Sequence, residues 1–551
     1  MSTNLRDYLL SALSSLPGTR QFRLHVLVSS PRKFTSLYPY ATTRPRVYAQ
    51  EVFVLLSEQR DLSSPRVFVT AIEANLFNIP QTSSAILYVS KVDSTGQGAK
   101  PAPTAALVRA LLKFYIDPQT RPLAAERLWV HLFARAQGQY LFPNSSDHDA
   151  KKPLSDVKLC SWWKRLFSQV AVEAMASRRK SELHASSSSS SSNANHSEEM
   201  PKLYFVMPGM NELEALQALG ELSTVPTAAD DSNPAAWTYG HPYSQKEVPL
   251  PYQIHGKDTR HNLGHFIPSF EDDPKTRFMD EIACTTKLDG VPSPKRKRRR
   301  ISEEGSVEAG DGGIQTTKDK DHGDGERIHG ELSQVQPDEF WERMGFRQEC
   351  VAGAITGFFV AVYPWSSTST FSSSSSPLAP QPGQVSHQLI RRIVTSLMTG
   401  HEFSTTERSV FATESLEGVI KGLCEGLPTA SQSQPMVIKS TTTNDDKARD
   451  KTPERDVAAI PPQLLAPPST PPPRMINGKR ALPFDNDNIS PNPFPEPVAS
   501  LETYSSYIFG ELSIHNPEPV RGNTDGVTAV GSSENGAQPP VVTVLAVRKK
   551  V

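Results

Sequence analysis

The sequence predicts an α/β protein with a central mixed sheet flanked by helices, and three observations carry that prediction. Apolar, β-branched-rich runs of strand length recur at 21–28, 48–56, 66–76, 86–90 and 128–135. Between the fourth and fifth runs, Leu107, Ala110, Leu111 and Phe114 recur at helical spacing, so a helix after Lys100 packs on the sheet. The rest of the 551-residue chain alternates such segments with long polar stretches, and 47 prolines with only 37% hydrophobic residues leave one large domain interrupted by disorder. The domain is placed at 1–428, with disordered insertions at about 180–200 and 287–336 and a disordered Pro/Ser/Thr-rich tail at 429–551 that has a basic end.

Taken in order, Leu5, Leu9, Leu13 and Leu16 give an N-terminal amphipathic helix before the five strands. The segment 154–175 is helical, with Leu159, Trp162, Trp163, Leu166, Phe167 and Val170 on its apolar face. After the serine run 186–192, strand character returns at 203–207, followed by a helical pattern that ends near Leu222. A strand is expected over 352–362 and closing helices over 388–398 and 414–424.

Composition sets further limits. Lysine and arginine (58) balance aspartate and glutamate (59), so any charge effect is local. Cys160, Cys284, Cys350 and Cys424 lie far apart with no CxxC pair, which argues against a zinc site or a disulfide framework and favours a reducing compartment. No apolar run approaches the roughly 18 residues of a membrane span and the N-terminus has no signal-peptide pattern, so a soluble intracellular protein with no membrane association is expected.

The stretch 85–115 reads as a strand, a loop marked by Gly96 and Gly98, and a helix that Thr104 can cap. Such a turn offers backbone N–H groups and a helix start to an anion such as a pyrophosphate; an ordinary crossover connection is the plainer alternative. Asp273 followed by Pro274 is a good helix start, and the adjacent carboxylates Asp272 and Asp273 could raise one another's pKa toward a base usable near neutrality, or simply attract a cation. The basic run 295–300 is a nuclear-localisation candidate, an electrostatic arm for DNA or acidic chaperones, or a solvated charge run.

Ser90-Lys91-Val92-Asp93, the run from Leu128 through Tyr140 to Pro143, Leu159-Cys160-Ser161-Trp162-Trp163-Lys164 and Phe270-Glu271-Asp272-Asp273-Pro274-Lys275 together resemble the fungal chaperone-dependent histone H3 acetyltransferases of the regulator of Ty transposition family. That family is related in fold to the CREB-binding-protein acetyltransferases. The resemblance implies acetyl-CoA as cosubstrate and no metal. It assigns cofactor contact to Val92, Asp93 and Ser94, to Pro101, Ala102, Pro103, Thr104 and Ala105, and to Phe133, Gln137, Pro153, Leu154 and Trp162. Relatives carry a basic residue within the stretch matching 101–105; the nearest one here is Lys100.

The resemblance also implies that Trp163 and Tyr140 line a substrate-lysine channel, that Asp273 is the catalytic carboxylate with Asp272 beside it, and that Lys275 is autoacetylated. Two core indoles are the plainer alternative; adjacent helical positions diverge by about 100°, so both can be buried only if they serve different walls. The implied function is acetylation of newly made histone H3 during replication-coupled nucleosome assembly and DNA repair in the nucleus, with the H3–H4 dimer presented by histone chaperones. A catalytically degenerate chromatin-binding protein of the same fold is the alternative.

Overall fold

The computed structural model describes residues 4–61, 63–186, 200–220, 236–244, 248–252, 261–284, 330–347, 350, 354–364, 378–425 and 494–518, with two dipeptides at 475–476 and 479–480. Asn4 opens the first helix, α1 (Leu5–Leu13), by accepting the Arg6 backbone N–H at 3.1 Å, and Leu5, Leu9 and Leu13 turn inward. All five expected strands are present, and the first four run longer than their apolar centres: β1 (Gly18–Val28), β3 (Tyr48–Gln59), β4 (Val67–Ile79), β5 (Ser84–Ser94) and β6 (Arg127–Ala134), with a two-residue β2 (Arg32–Lys33) on the edge of β3. Helix α2 (Thr104–Ile116) joins β5 to β6, and α3 (Asp156–Ser186) follows.

Next come β7 (Lys202–Val206), α4 (Glu212–Leu219), β8 (Trp237–Tyr239), α5 (Pro274–Cys284), α6 (Pro337–Met344), β9 (Gly357–Tyr363), α7 (His387–Gly400), α8 (Thr406–Glu425) and β10 (Phe509–Asn516). The sheet runs in the order β10-β1-β3-β4-β5-β6-β9-β7-β8. It is mixed as expected: β5 and β6 are parallel, because α2 returns the chain to the same end, while β4·β5 and β6·β9 are antiparallel.

The period-2 alternation of the strands sorts the two faces. Phe22, Leu24 and Val26 of β1 and Val52, Val54 and Leu56 of β3 join Leu107, Leu111, Phe167 and Val170 under α1, α2 and α3. Leu27, Phe53 and Leu55 face the other way, against Ile390, Ile393, Leu416 and Ile420 of α7 and α8. Beyond them on that second face, Tyr88, Trp129 and Phe270 form one cluster, and Phe278, Phe340, Trp341 and Phe358 another.

The last helix begins at Thr406 rather than 414 and the strand expected over 352–362 at Gly357, and three boundaries of the insertions and tail also differ from expectation. Helix α3 continues to Ser186, into the stretch assigned to the first insertion, and residues 187–199 lie outside the described residues. Residues 285–329 lie outside the described residues, and 330–335, assigned to the second insertion, are placed: Leu332 and Val335 are each 1% exposed and pack on α5 and α6. The third is the largest. Part of the tail read as disordered is built into the sheet: β10 pairs antiparallel with β1 from Gly18↔Asn516 to His25↔Phe509.

Specific chemistry, not composition, holds that strand. Arg6 donates to Ser505 O and Phe509 O at 2.6 Å each, and Asn516 Nδ2 donates to Ser14 O and Leu16 O at 2.7 Å each. Tyr504 and Ile508 are buried against His25 and the α8 cluster.

Candidate active site

The middle of the sheet, where β5 and β6 run parallel, carries the 270–275 block singled out above. Tyr88 and His131 are register partners there, both on the face opposite α2. Phe270 stacks on Tyr88 with centroids 4.2 Å apart and planes within 6°, which lays the 270–276 block across the two strands. The block then enters α5 as expected: the Asp273 carboxylate accepts the Lys275 backbone N–H at 2.9 Å and caps the helix.

Asp273 (1% exposed) also accepts from Lys275 Nζ in a short ion pair, and Lys275 is itself 3% exposed. The ammonium lies 4.9 Å from the Phe270 centroid and 5.4 Å from that of Phe358, so aromatic faces supply what water cannot. Burial lowers the Lys275 pKa, with the Asp273 charge acting against that shift. His131 is held neutral, far below the usual imidazole value, by burial and then by the Lys275 charge.

A small cavity beside the pair is lined by Tyr88, His131, Tyr243, Asp273, Lys275, Trp341 and Phe358 among others. Three of these side chains carry a buried polar atom with no hydrogen-bond partner among the described residues: His131 Nε2, Tyr243 Oη and Trp341 Nε1. Buried polar atoms are ordinarily paired, so three at one cavity mark a site built to receive a small polar group. Sequence reading missed all three, although a histidine inside the apolar run Leu128-Trp129-Val130-His131-Leu132-Phe133 was a visible irregularity.

The two adjacent carboxylates do not form a pair. Asp272 sits in the left-handed region at φ 61°, which turns its 74%-exposed carboxylate out to Lys91 at 3.4 Å, while Asp273 points inward to Lys275. Each faces its own lysine, one outward and one inward. The two indoles do not serve different walls: their rings meet edge-on beside the same core, and Trp163 is not an open channel wall. It is 4% exposed inside the main core, edge-on to Phe167, whereas Trp162 is only partly buried, 4.7 Å from it.

The residues matched to cofactor contact collect at the C-terminal ends of β5 and β6 and the starts of α2 and α3. Pro101, Ala102, Ala105, Gln137, Pro153 and Leu154 are exposed, Val92, Ser94, Thr104, Phe133 and Trp162 partly so, and Pro103 is buried. Ends of parallel strands beside helix starts are where α/β sheets hold ligands. The cap of α2 is Pro103, not Thr104: the Thr104 hydroxyl is engaged with that of Thr70 at 2.8 Å. The first intrahelical bond runs from Leu107 N to Pro103 O, so the amides before it are available to an anion.

The Asp93 carboxylate holds a loop. One oxygen accepts the backbone N–H groups of Tyr140, Leu141 and Phe142 at 2.8, 2.8 and 3.1 Å; the other accepts Ser94 N and Lys151 Nζ, each at 2.8 Å. That carboxylate is saturated and acts as a staple for the 140–151 loop. Gly96 (φ +79°) lets the loop cross, since a Cβ there would meet Lys151 Cα at 2.5 Å. Tyr140, held by this staple and partly buried, has its phenol pushed up to about 12 by burial and then by Asp93. Asp156 similarly accepts Ala136 N at 3.0 Å and Ile355 N at 3.2 Å, tying the end of β6 to the approach to β9.

Acetyl-CoA fits the donor set at these strand ends: free amides for phosphate and Phe133 and Trp162 for apolar or flat parts, with the polar cavity on the sheet face opposite α2. Among the described residues no group of three or more His, Cys, Asp or Glu could hold a metal, and no helix is long and apolar enough to cross a membrane.

Comparison with known proteins gives a consistent result. The model of the histone acetyltransferase KAT11-type domain matches residues 118–418. The histone acetyltransferase rtt109 of Aspergillus flavus is 28% identical over 357 residues, 62% of this chain and 54% of the relative. That of Schizosaccharomyces pombe is 26% identical over 293 residues, 53% of this chain and 56% of the relative. The chain thus spans about half the length of the curated relatives it matches. The crystal structure of Rtt109 from Aspergillus fumigatus superposes with a TM-score of 0.52 at 22% identity, covering 76% of this chain and 96% of that one, which establishes a shared fold.

Proposed function

The chain belongs to the histone acetyltransferase KAT11-type family, and from that premise we propose that it moves acetyl from acetyl-CoA to lysines of newly made histone H3, with the H3–H4 dimer presented by histone chaperones in the nucleus. The observation that carries this reading is the buried Asp273–Lys275 pair lying over Tyr88 and His131, on the strands whose ends meet the start of α2. Transfer requires the substrate ammonium, with an ordinary pKa of about 10.4, to lose a proton before its nitrogen bonds the thioester carbon and the C–S bond breaks.

Asp273 is the carboxylate assigned to take that proton, and in the present arrangement Lys275 occupies it. Acetylation of Lys275 removes the competing cation, and a buried carboxylate without its partner binds a proton more tightly. Tyr243 O–H and Trp341 N–H, both buried and unpaired, are suited to receive the oxygen of the new amide.

Direct attack within a ternary complex suits the site better than an acetyl-cysteine intermediate. Cys160, on α3 beside Trp162 and Trp163, is fully buried and its thiol is pushed up to about 12 by burial and then by Asp156. Such a thiol is neutral and inert. The basic run 295–300, which would serve nuclear import or contact with DNA or acidic chaperones, lies outside the described residues.

The test is radiolabelled acetyl transfer to H3–H4, with and without a histone chaperone, for wild type and Asp273→Asn. The expected result is chaperone-stimulated labelling of H3 that falls on the order of 100-fold or more in the variant, the usual scale for a general base. Acetyl-CoA binding without any labelling would favour the degenerate, chromatin-binding reading. Labelling that survives the substitution would keep the activity and remove Asp273 from it.

A further inference from the structure

Five consecutive backbone carbonyls, from Gln97 to Pro101, are each held by an arginine. Arg60 Nη2 donates to Gln97 O at 3.0 Å and Gly98 O at 3.3 Å. Arg20 takes the next three, Nη1 donating to Ala99 O at 3.3 Å and Pro101 O at 2.9 Å, and Nη2 to Lys100 O at 2.9 Å. Glu58 Oε1 accepts the Ala99 N–H at 3.1 Å and lies 3.8 Å from Arg20 Nη1, so the guanidinium is itself oriented. Gly98 is needed for the loop to lie this low, because a Cβ would come within 3.0 Å of Glu58 Oε2 and 3.3 Å of Val69.

Simple hydrogen-bond satisfaction does not require this arrangement. Lys100, Pro101 and Ala102 are exposed, and water would satisfy carbonyls in such a loop at no cost. Instead a 2%-exposed guanidinium from β1 is spent on them. The effect is electrostatic. Carbonyl oxygens are the negative ends of the peptide dipoles, and here they are drawn toward two cations at the base of the segment that leads into α2. The stretch 101–105 has no basic residue of its own, so the positive charge comes from β1 and the end of β3.

We propose that Arg20 and Arg60 are positioning residues for the pyrophosphate of acetyl-CoA, holding 97–101 so that the approach to α2 turns its carbonyls away from the anion. This rests on the acetyl-transfer reading above. A lysine cannot replace Arg20 in the role, because a single ammonium does not span three carbonyls as the planar guanidinium does. β10 helps to keep Arg20 in place, since Ile514 is its register partner on the outer side of β1.

The measurement is steady-state transfer at varied acetyl-CoA with the full chain, for Arg20→Lys and Arg60→Gln, alongside calorimetric acetyl-CoA binding and amide hydrogen exchange across 96–103. Loss of charge-assisted contacts to the loop is expected to raise KM for acetyl-CoA about tenfold in R20K and about threefold in R60Q, with kcat at saturation within about twofold and faster exchange in the loop. Arg60 is exposed, so R60Q reports even if R20K folds poorly. A KM within about twofold of wild type in R60Q and in any folded R20K, or a loss confined to kcat, overturns the proposal. If wild type itself fails to bind acetyl-CoA, the acetyl-transfer reading has failed and takes this one with it.

Discussion

Two buried aspartate–lysine pairs lie at this face of the sheet, and they are built differently. Asp93 and Lys151 are 5% and 7% exposed at the side chain, and every contact is structural: Asp93 gathers four backbone N–H groups, and Lys151 adds Ser145 Oγ at 2.7 Å. Asp273 and Lys275 are buried still more deeply, but Asp273 takes one backbone N–H besides the ammonium, and Lys275 is bordered by two phenylalanine faces and a cavity with unpaired polar atoms. A saturated pair fixes a loop in one state. An unsaturated pair beside a cavity can exchange a proton or a partner, and that is the property a reactive site needs.

If the contrast is right, the two carboxylates fail in different currencies when neutralised. Asp93→Asn should cost about 3 kcal/mol or more of stability in urea or guanidinium unfolding, as expected for a broken buried pair that also holds a loop. Asp273→Asn should cost clearly less than Asp93→Asn, because Lys275, already lowered by burial, can shed its proton when its partner is lost. The reverse order of stability losses would break the comparison.

A smaller effect sharpens it through pH. The folded pKa of Lys275 lies below its unfolded value, so the unfolded chain binds a proton that the folded chain gives up. The stability penalty is complete below the folded value and is relieved as pH climbs from there toward about 10.5. Wild type should therefore gain stability relative to the double variant D273N/K275M as pH rises through that window, measured by denaturant midpoints. A constant difference would remove Lys275 as the source.

The smallest expected change is at Cys160. Replacement by Ala should cost about 1–2 kcal/mol of packing and leave kcat within about twofold, since the thiol is buried and protonated. A collapse of activity without unfolding would reopen the acyl-cysteine route.

Much of the fold was legible because the strands carry their own pattern. The alternation of Phe22, Leu24 and Val26 against Leu27 and of Val52, Val54 and Leu56 against Phe53 and Leu55 marks two covered faces without any tertiary information. Asp273-Pro274 announced its helix start equally locally. What escaped depended on long-range contacts. The alternating Leu512 and Ile514 were hidden in a proline-rich background, and it is the edge of β1, with Arg6, Asn4, Ser14 and Leu16 some 500 positions away, that gives the strand a place. Asp272 and Asp273 read as a pair until a left-handed residue separated them, and Thr104 read as a cap until Thr70 took its hydroxyl. Arg20 and His131 lay within strands whose apolar neighbours drew attention away from them.

The pairing of β10 with β1 also dictates when the sheet can be finished. Asn516 reaches Ser14 across 502 positions, so the edge of β1 has no partner from this chain until the ribosome has made nearly all the intervening residues. At typical rates that interval is on the order of 25–100 s, long compared with the formation of helices and hairpins upstream. Through that interval the nascent domain carries an open strand edge, the kind that recruits other chains. Closure is therefore a late step, and a slow translation of the region between α8 and β10 lengthens the time in which the edge must be shielded.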